Sequence, residues 1–527
     1  MSAAVLRPFR EGGERRRWSR PLLLLVIFLY AALTGAAVAI LPPQLQVMLG
    51  IPLVIAVGFI LWLLPDIDRM PVALLTTLFV SYLAANAMWP AYIAMALPGL
   101  PWISPPRLIV AALLLLGLST FATSPTMRAE IASIFGAMRW VNWAFWIFWT
   151  TSVVSIGLSG AVVFSINKWI NNQIYWTMLF AFAGWVALRP GAIERAARVL
   201  VWSAILVSLD AIYEYRIQEL PWVGHIPSFL TIEASYMSKI VGSQARAGTD
   251  IFRVRGTFSV SLQLAEYLSL VLPFLLHQLV AARGGWRRVL LVAGFLAISI
   301  AAFLTNARSG VIGFFMSLFL YGAFAIFRYW RRERHSLLGV SALALMPAAG
   351  AAFVAISLFS GKLHNAMYGG GMQADSSLAR VQQWAMGRPK YLSHPFGHGA
   401  GRGGDVLGYF SPGGDGTIDA YYLSLLLEYG FIGFAAWIAI FSIQAVYGLR
   451  AFIDAEDADE LYAGPVAVAL LNCLVIKSVL SSEINMPMAF AMLGFLAAIV
   501  VRQTARRRAK APAAAATPMP GRFAAAY

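Results

Sequence analysis

Two polar segments between apolar runs, residues 214–256 and 361–420, hold the side chains best suited to binding an anion. The basic residues are Arg216, Lys239, Arg246, Arg253 and Arg255 in the first segment, and Lys362, Arg380, Arg388, Lys390 and Arg402 in the second. An arginine fork can bind two oxygens of a phosphate, so this grouping favours a phosphate-bearing ligand. Alternatively, each arginine reaches only to lipid headgroups. We take Arg255, Arg380 and Arg388 as candidate substrate-binding residues.

Arg308 differs from the loop arginines because it lies in a tight turn between two apolar runs, residues 305–310 (Thr-Asn-Ala-Arg-Ser-Gly). Such a turn leaves the side chain little freedom to reach for headgroups. A fixed guanidinium can stabilise negative charge that develops on a leaving group. We therefore expect Arg308 to be a catalytic residue.

Asp419 lies just before the apolar run that starts at residue 421. Its carboxylate could accept a proton from a sugar hydroxyl, or it could only cap the helix that follows. The glycines of residues 394–401 (His-Pro-Phe-Gly-His-Gly-Ala-Gly) could bring the backbone close to a ligand, or could make an ordinary turn. His398 in this stretch is a candidate substrate contact. A metal site is not expected at His394 and His398, because the stretch between them is not helical.

Five ionisable residues lie within or at the edges of apolar runs, where they are functional candidates by default. They are Asp210, Glu214, Glu266, Glu428 and Lys477. We take Glu266 and Lys477 as candidate substrate-binding residues. The alternative for each residue is a structural ion pair, and Glu483 is one possible partner of Lys477.

Several familiar catalytic motifs are missing from the sequence. It contains no Walker A loop, dinucleotide fingerprint, His-Glu-x-x-His zinc motif or Gly-x-Ser-x-Gly elbow. The single cysteine, Cys473, excludes a disulfide framework and thiolate metal sites. We therefore expect no cofactor and no metal, and a substrate that arrives already activated.

The composition indicates the class of protein that must position these residues. Of the 527 residues, 60% are hydrophobic and 12% are charged, whereas soluble proteins have about 25% charged residues. This composition predicts an all-α polytopic membrane protein, because a membrane span needs about 20 apolar helical residues. We expect about 12–14 transmembrane helices. The apolar runs are residues 22–41, 46–64, 71–88, 108–123, 142–163, 174–188, 199–213, 261–280, 289–304, 310–327, 337–359, 421–447, 464–481 and 485–501.

Basic residues predict the orientation of the spans, because they concentrate in cytoplasmic loops. With the arginine-rich N-terminus inside, alternating spans also place the basic stretches 189–198, 283–288, 328–334 and 506–510 inside. Both termini are then cytoplasmic, and the two polar segments are long outer loops. The net charge of +16 mainly reflects this topology and does not indicate nucleic-acid binding.

The predicted organisation follows from these spans and loops. It consists of an N-terminal transmembrane bundle (1–213), a first outer loop (214–256), a core (257–447) that includes the second outer loop (361–420), a C-terminal pair of spans (448–510) and a disordered tail (511–527). The first segment also has features of a signal peptide, but its length and the spans that follow favour an uncleaved helix.

Four motifs in order make residues 250–440 resemble the O-antigen ligase and polymerase superfamily. The motifs are residues 255–259 (Arg-Gly-Thr-Phe-Ser) before a run that ends at Pro273, residues 306–310 (Asn-Ala-Arg-Ser-Gly), residues 380–384 with 394–401, and residues 419–423 (Asp-Ala-Tyr-Tyr-Leu) with 428–433. All four lie at the predicted outer face.

The resemblance implies a glycosyltransferase of the C-type fold that uses no metal and works at the periplasmic face of the bacterial inner membrane. Its donor would be a glycan on undecaprenyl pyrophosphate, and its acceptor a sugar hydroxyl on lipid A core or on another lipid-linked repeat unit. By position, Arg255 and Arg308 would contact the phosphates, with Arg380 as a further candidate. Asp419 and Ala420 occupy the positions where ligases carry a proposed His base and an Asn.

This departure from the ligase pattern favours a polymerase of exopolysaccharide or O-antigen repeat units, with an O-antigen ligase as the alternative. A flippase or transporter of lipid-linked oligosaccharide is a second alternative, since the number of spans suits it. Transporters usually have internal repeats and midplane sites. The sequence has no evident repeat, and its polar residues lie in the outer loops instead. A non-enzymatic membrane scaffold is a third alternative.

Overall fold

Long apolar helices make up most of the structure, a computed structural model that describes residues 56–61, 63–68, 70–97, 102–233, 240, 251–364, 374–410 and 416–510. The arginine-rich N-terminus, the predicted span 22–41, most of the span 46–64 and the predicted disordered tail lie outside the described residues.

The N-terminal half contains seven helices that lie wholly within the described residues, after a helical stretch at residues 56–61. They are α1 (Val72–Met88), α2 (Pro105–Thr123), α3 (Pro125–Gly136), α4 (Arg139–Gly157), α5 (Val162–Asn172), α6 (Leu179–Ala187) and α7 (Ala192–Ile217). Proline at the first helical position of α2 and α3 fits the helix start, where no backbone N–H is needed. A π-helical segment, Gln173–Met178, joins α5 to α6.

The C-terminal half continues the all-α pattern. Its described helices are α8 (Ser261–Ala281), α9 (Gly285–Leu304), α10 (Arg308–Arg332), α11 (Leu337–Phe359), α12 (Gly361–His364), α13 (Ala374–Ser393), α14 (Gly403–Leu407), α15 (Tyr421–Ile453), α16 (Ala463–Lys477) and α17 (Met486–Lys510). Among the described residues, nine helices are long and apolar enough to cross a membrane. The predicted all-α polytopic membrane fold is therefore confirmed, while the total number of spans stays a prediction.

The centre of the bundle is formed by α8, α15, α16 and α17, whereas α2 and α11 lie at its periphery. In α8, 78% of an 18-residue apolar stretch is buried inside the protein, whereas in α11 only 6% of such a stretch is buried. Helix α17 packs closely on α6 through Gly494, where an added Cβ would lie 2.3 Å from the Phe180 carbonyl oxygen. Small residues at such contacts are typical of membrane helices, because they let two backbones approach.

The described chain has two chemically different ends, which α10, α15 and α17 connect. At one end, called here the basic end, Arg189 pairs with Glu130, Arg502 pairs with Asp459, and Arg328 donates to the Ala455 carbonyl. The other end is called here the site end. Five segments contact one another there, namely residues 251–260, 305–308, 374–410, 416–420 and 478–485. The predicted assignment of the basic end to the cytoplasm stays a prediction.

A small β-ribbon was not expected from the sequence. Strand β1 (Ile93–Ala94) pairs antiparallel with β2 (Thr231–Ile232), which ties the predicted first outer loop to the end of α1. Tyr92, Ile93 and Leu220 form a separate hydrophobic cluster beneath the ribbon. This segment is therefore a folded cap over the site end of α1 and α7 in its described part.

Candidate functional site

Arg308 begins α10 at the site end, directly after the predicted tight turn. The turn is made possible by Asn306, whose φ of 48° lies in the left-handed region that asparagine tolerates. The Arg308 guanidinium donates to Ser377 Oγ at 3.1 Å, and Arg253 donates to the Thr305 carbonyl at 3.0 Å. Arg308 is half-buried and thus held between the turn and α13.

Helix α13 carries a row of polar residues, Ser377, Arg380 and Gln383, spaced three apart along one face. The helix has 20 residues and lies within the predicted second outer loop. Ser377 contacts Arg308, and the side-chain oxygen of Gln383, Oε1, accepts from the Asp419 backbone N–H at 2.8 Å. The helix thus brings Arg308, Arg380 and Asp419 into one site.

Asp419 does not cap α15 with its side chain. The N-cap residue is Ala420, and no side-chain cap is made there. The Asp419 carboxylate is half-buried, and in the described part of the chain it has no hydrogen-bond partner. Of the two functions considered from the sequence, proton acceptance is the one that this geometry permits.

Arg380 lies close enough to Asp419 for the two charges to interact, but they form no ion pair in the described structure. Burial lowers the pKa of the Arg380 guanidinium, and the Asp419 carboxylate opposes that shift. Within the described residues, Arg380 Nε and Gln383 Nε2 are buried and lack hydrogen-bond partners. Buried donors are usually paired in folded proteins, so these two groups are available to the acceptor atoms of a ligand.

A polar floor lies beneath Asp419, formed by residues 478–485 and the start of α8. Ser481 donates to the Ile418 carbonyl oxygen, next to Asp419. Gln263 Nε2 donates to Ser482 Oγ at 2.9 Å, and Ser259 donates to Gln263 at 2.9 Å. This floor fixes the backbone next to Asp419 relative to the core helices.

Glu266 and Lys477, both candidate substrate contacts, form an ion pair below the floor. Their side chains are fully buried, with 2.7 Å between Lys477 Nζ and Glu266 Oε1. Asn485 donates to the second Glu266 oxygen at 2.9 Å, and Lys477 also donates to the Ser482 carbonyl oxygen. The possible pairing of Lys477 with Glu483 is wrong, because Glu483 pairs with Lys168. The geometry supports the structural alternative for Glu266 and Lys477, since each buried charge is neutralised by the other.

Arg255 is buried, with polar contacts to α7 and to Ile240. Its guanidinium donates to the Ile240 carbonyl at 3.0 Å, and its backbone N–H donates to Glu214 Oε2 at 3.0 Å. Burial lowers the pKa of Arg255, while Tyr92 and Glu214 oppose that shift. Arg388, by contrast, is exposed near the C-terminal end of α13. In the described part of the chain, the contacts of Arg255 lead to α7 and Ile240, and Arg388 lies at the opposite end of α13 from Ser377.

The glycine-rich stretch 394–401 packs against a break in α15. At Gly430 (φ 68°, ψ −173°) the helix is interrupted, and an added Cβ would lie 1.9 Å from the Pro395 carbonyl oxygen. The Phe431 backbone N–H donates to that oxygen at 3.1 Å. The glycines thus permit a close backbone approach within the protein.

His398 is fixed by the same packing. Its Nδ1 is 3.0 Å from the Leu427 carbonyl oxygen, which can only accept, so Nδ1 carries the hydrogen. Burial lowers the pKa of His398, which favours the neutral ring. The neutral ring therefore has only Nε2 left as an acceptor.

A second charged cluster contains Glu428 and Glu483, which sequence analysis named, and Lys168, which it missed. Lys168 of α5 pairs with Glu483, and Tyr421 donates to the other Glu483 oxygen at 3.3 Å. Glu428 accepts from Ser424 at 2.7 Å and from the Gly401 backbone at 2.8 Å. The cluster ties α5, the glycine-rich stretch and α15 together. Its members are far apart in the chain, so no local spacing could have indicated it.

No group of three or more His, Cys, Asp or Glu residues that could hold a metal ion occurs in the described part of the chain. The site instead combines two guanidinium groups, Arg308 and Arg380, with the carboxylate of Asp419. Such a set can bind a phosphate-bearing group and accept a proton nearby.

Comparison with known families supports this interpretation. The O-antigen ligase family model matches residues 293–438. The match confirms the predicted resemblance and contains Arg308, Arg380, His398 and Asp419, but not Arg255, Glu266 or Lys477. With the membrane helices, it supports a multi-pass membrane enzyme of the O-antigen ligase or polymerase type. A comparison with curated proteins found no match.

Proposed function

We propose that this protein is a glycosyltransferase that moves a glycan from undecaprenyl pyrophosphate to a sugar hydroxyl at the periplasmic face of the bacterial inner membrane. The observation that carries the proposal is the convergence of Arg308, Arg380 and Asp419 around α13. All three lie within the segment that the O-antigen ligase model matches. The family implies lipid-linked glycan and lipid A core as substrates.

The two arginines are assigned to the pyrophosphate of the donor. Arg308 is held by Ser377, and Arg380 carries a buried Nε without a partner in the described residues. Fixed charges in a partly water-excluded site stabilise a developing anion better than water does, because they need little reorganisation. Arg388 and His398 are assigned to the outer parts of the glycan, since both lie on the segment that carries the site.

Asp419 is assigned as the general base. The oxygen of the acceptor hydroxyl attacks the anomeric carbon of the donor sugar and forms the new glycosidic bond. The bond from that carbon to the pyrophosphate oxygen breaks, and undecaprenyl pyrophosphate leaves with the electron pair. The hydroxyl proton passes to the Asp419 carboxylate. Arg308 and Arg380 stabilise the charge of the leaving pyrophosphate.

Polymerisation of exopolysaccharide or O-antigen repeat units is the preferred reaction. Its support is the pair Asp419 and Ala420, which replaces the His and Asn expected in a ligase. Ligation of glycan to lipid A core is the second candidate, and the description of the matching family favours it. Both reactions use the same type of donor and the same three side chains, Arg308, Arg380 and Asp419.

The glycan profile of a deletion strain tests the proposal. For an O-antigen polymerase, single repeat units on the core are expected to persist while longer chains disappear. For an exopolysaccharide polymerase, only free polysaccharide is lost, and for a ligase, lipid-linked polymer accumulates without attachment to the core. Lipid-linked units that accumulate facing the cytoplasm would instead identify a transporter. An unchanged profile would contradict the proposal.

A further inference from the structure

A cavity of about 400 Å³ lies between the folded cap, α1 and α7, apart from the arginines of the candidate site. Its walls include Trp89, Asp210, Trp222, His225 and Thr257. The volume lies within the range of small-molecule binding sites. The cavity lies outside the segment matched by the family model, so it is not part of what that model describes.

The aromatic walls of the cavity are held rigidly. The Trp89 indole N–H donates to the Ile93 carbonyl oxygen at 2.8 Å, and Ile93 is fixed in the β-ribbon. The Trp222 ring packs on Tyr92, with 5.5 Å between the ring centroids. Thr257 Oγ1 donates to the Ala87 carbonyl oxygen at 2.6 Å. A site with walls fixed in advance loses little entropy when it binds a ligand.

Two polar groups of the cavity walls are unsatisfied within the part of the chain that the structure describes. Among the described residues, neither oxygen of Asp210 has a hydrogen-bond partner, and its Oδ2 is buried. The buried Trp222 indole N–H also lacks an acceptor in the described structure. A groove for a hydrocarbon chain gains nothing from an unpaired carboxylate, because burying a charge without a partner is unfavourable. The combination instead suits a ligand with hydroxyl groups and apolar faces.

A path of hydrogen bonds and short stretches of backbone connects the cavity wall to the candidate site. Thr257, in the wall, is two residues from Ser259, which donates to Gln263. Gln263 in turn donates to Ser482, and the adjacent Ser481 donates to the carbonyl of Ile418. Ile418 directly precedes Asp419. The polar floor of the candidate site therefore continues to the cavity.

We infer that the cavity binds a sugar residue of the glycan substrate, with its ring packed between Trp89 and Trp222 and its hydroxyls bonded to Asp210. Sugars have apolar ring faces that pack on aromatic rings, and hydroxyls that donate to carboxylates. The inference rests on the proposed function, and it assigns selectivity for the glycan to the cavity walls, formed by residues 88–93, 206–210, 222–230 and 257. A site built to bond a hydroxyl discriminates strongly against sugars that lack it.

Two conservative variants, Asp210→Asn and Trp222→Phe, test the inference in the full-length protein. Glu219→Gln is the matched control, because it removes an exposed carboxylate from the same cap. Each protein is placed in nanodiscs, and saturation-transfer NMR measures its binding of the methyl pyranosides of glucose, galactose, mannose and N-acetylglucosamine. We expect at least one glycoside to bind the wild type and the control, and to bind both variants at least about tenfold more weakly. The inference would be overturned if no glycoside binds the wild type, or if both variants bind the glycoside as tightly as the wild type does.

Undecaprenyl phosphate serves as the lipid probe in the same preparations. We expect its binding to be unchanged by both variants. Weaker binding of this lipid, with glycoside binding unchanged, would make the cavity a lipid site and refute the inference. If Trp222→Phe is well folded and Asp210→Asn is not, the phenylalanine variant alone decides the outcome.

Glycan output in cells separates this inference from the proposed function. We expect Asp210→Asn and Trp222→Phe to lower the amount of glycan by at least about tenfold. If Arg308→Ala abolishes the glycan while both cavity variants leave it unchanged, the cavity assignment fails alone. If Arg308→Ala also leaves the glycan unchanged, the proposed function fails.

Discussion

Replacing Arg308 by alanine is expected to abolish the polymer or the ligated glycan while the protein level in the membrane stays normal. The guanidinium is half-buried at the start of α10 and is held by Ser377. Loss of one fixed donor to a developing anion typically lowers a rate by about 100-fold to 1,000-fold. We expect a loss of at least about 100-fold, measured as glycan per unit of membrane protein by gel and immunoblot.

Two further variants control this prediction. Arg308→Lys keeps the charge but loses the bidentate fork, so an intermediate amount of glycan is expected. Arg331→Ala removes an exposed arginine at the opposite end of the same helix and should leave the glycan unchanged. Normal glycan in Arg308→Ala, with normal protein, would count against the assignment of the pyrophosphate site.

Replacing Asp419 by asparagine should lower the rate of glycan transfer by about 100-fold or more. Asparagine keeps the shape of the side chain but cannot accept the hydroxyl proton, and general bases contribute about 100-fold to 10,000-fold. The Gln383 bond to Asp419 is made by the backbone N–H, so the local fold should be retained. The measurement is the initial rate with purified protein and lipid-linked donor.

Asp405→Asn is the matched control for Asp419→Asn. Asp405 also lies in the segment 361–420, but it is paired with Arg402 at 2.7 Å. We expect near-normal transfer in this control and unchanged donor binding in Asp419→Asn. Wild-type rates in Asp419→Asn, together with inactive Arg308→Ala, would mean that another group accepts the proton.

The sequence was sufficient to predict the membrane fold, because membrane helices are encoded in long apolar runs that can be recognised locally. Helices form at all predicted runs within the described residues. Two features could not be seen in this way. Run 174–188 is only partly α-helical, since a π-helical segment precedes α6, and the β-ribbon joins short strands from distant segments.

The candidate site was predictable in part. Arg308 was indicated by its tight turn, and Asp419 by its place before an apolar run. Ser377 and Gln383 were missed as site residues, although their spacing around Arg380 places all three on one face of α13. Helix α13 brings Ser377 to Arg308 and Gln383 to Asp419.

Pairing between distant residues could not be predicted from one sequence. Lys477 was assigned to substrate, with Glu483 as another possible partner, but Glu266, 211 positions earlier in the chain, neutralises it. Glu483 instead meets Lys168, which carried no sequence signal. Which opposite charges meet depends on helix packing, and local spacing does not encode it.

External cysteine labelling tests most directly the central claim that the arginines and Asp419 face the periplasm. The single cysteine, Cys473, is buried, so new cysteines can be introduced without other changes. Gln382→Cys on α13 and Arg508→Cys at the basic end are both exposed positions. We predict that a membrane-impermeant maleimide labels Gln382→Cys in intact spheroplasts, and labels Arg508→Cys only after permeabilisation. Labelling of Arg508→Cys alone in intact spheroplasts would contradict the account.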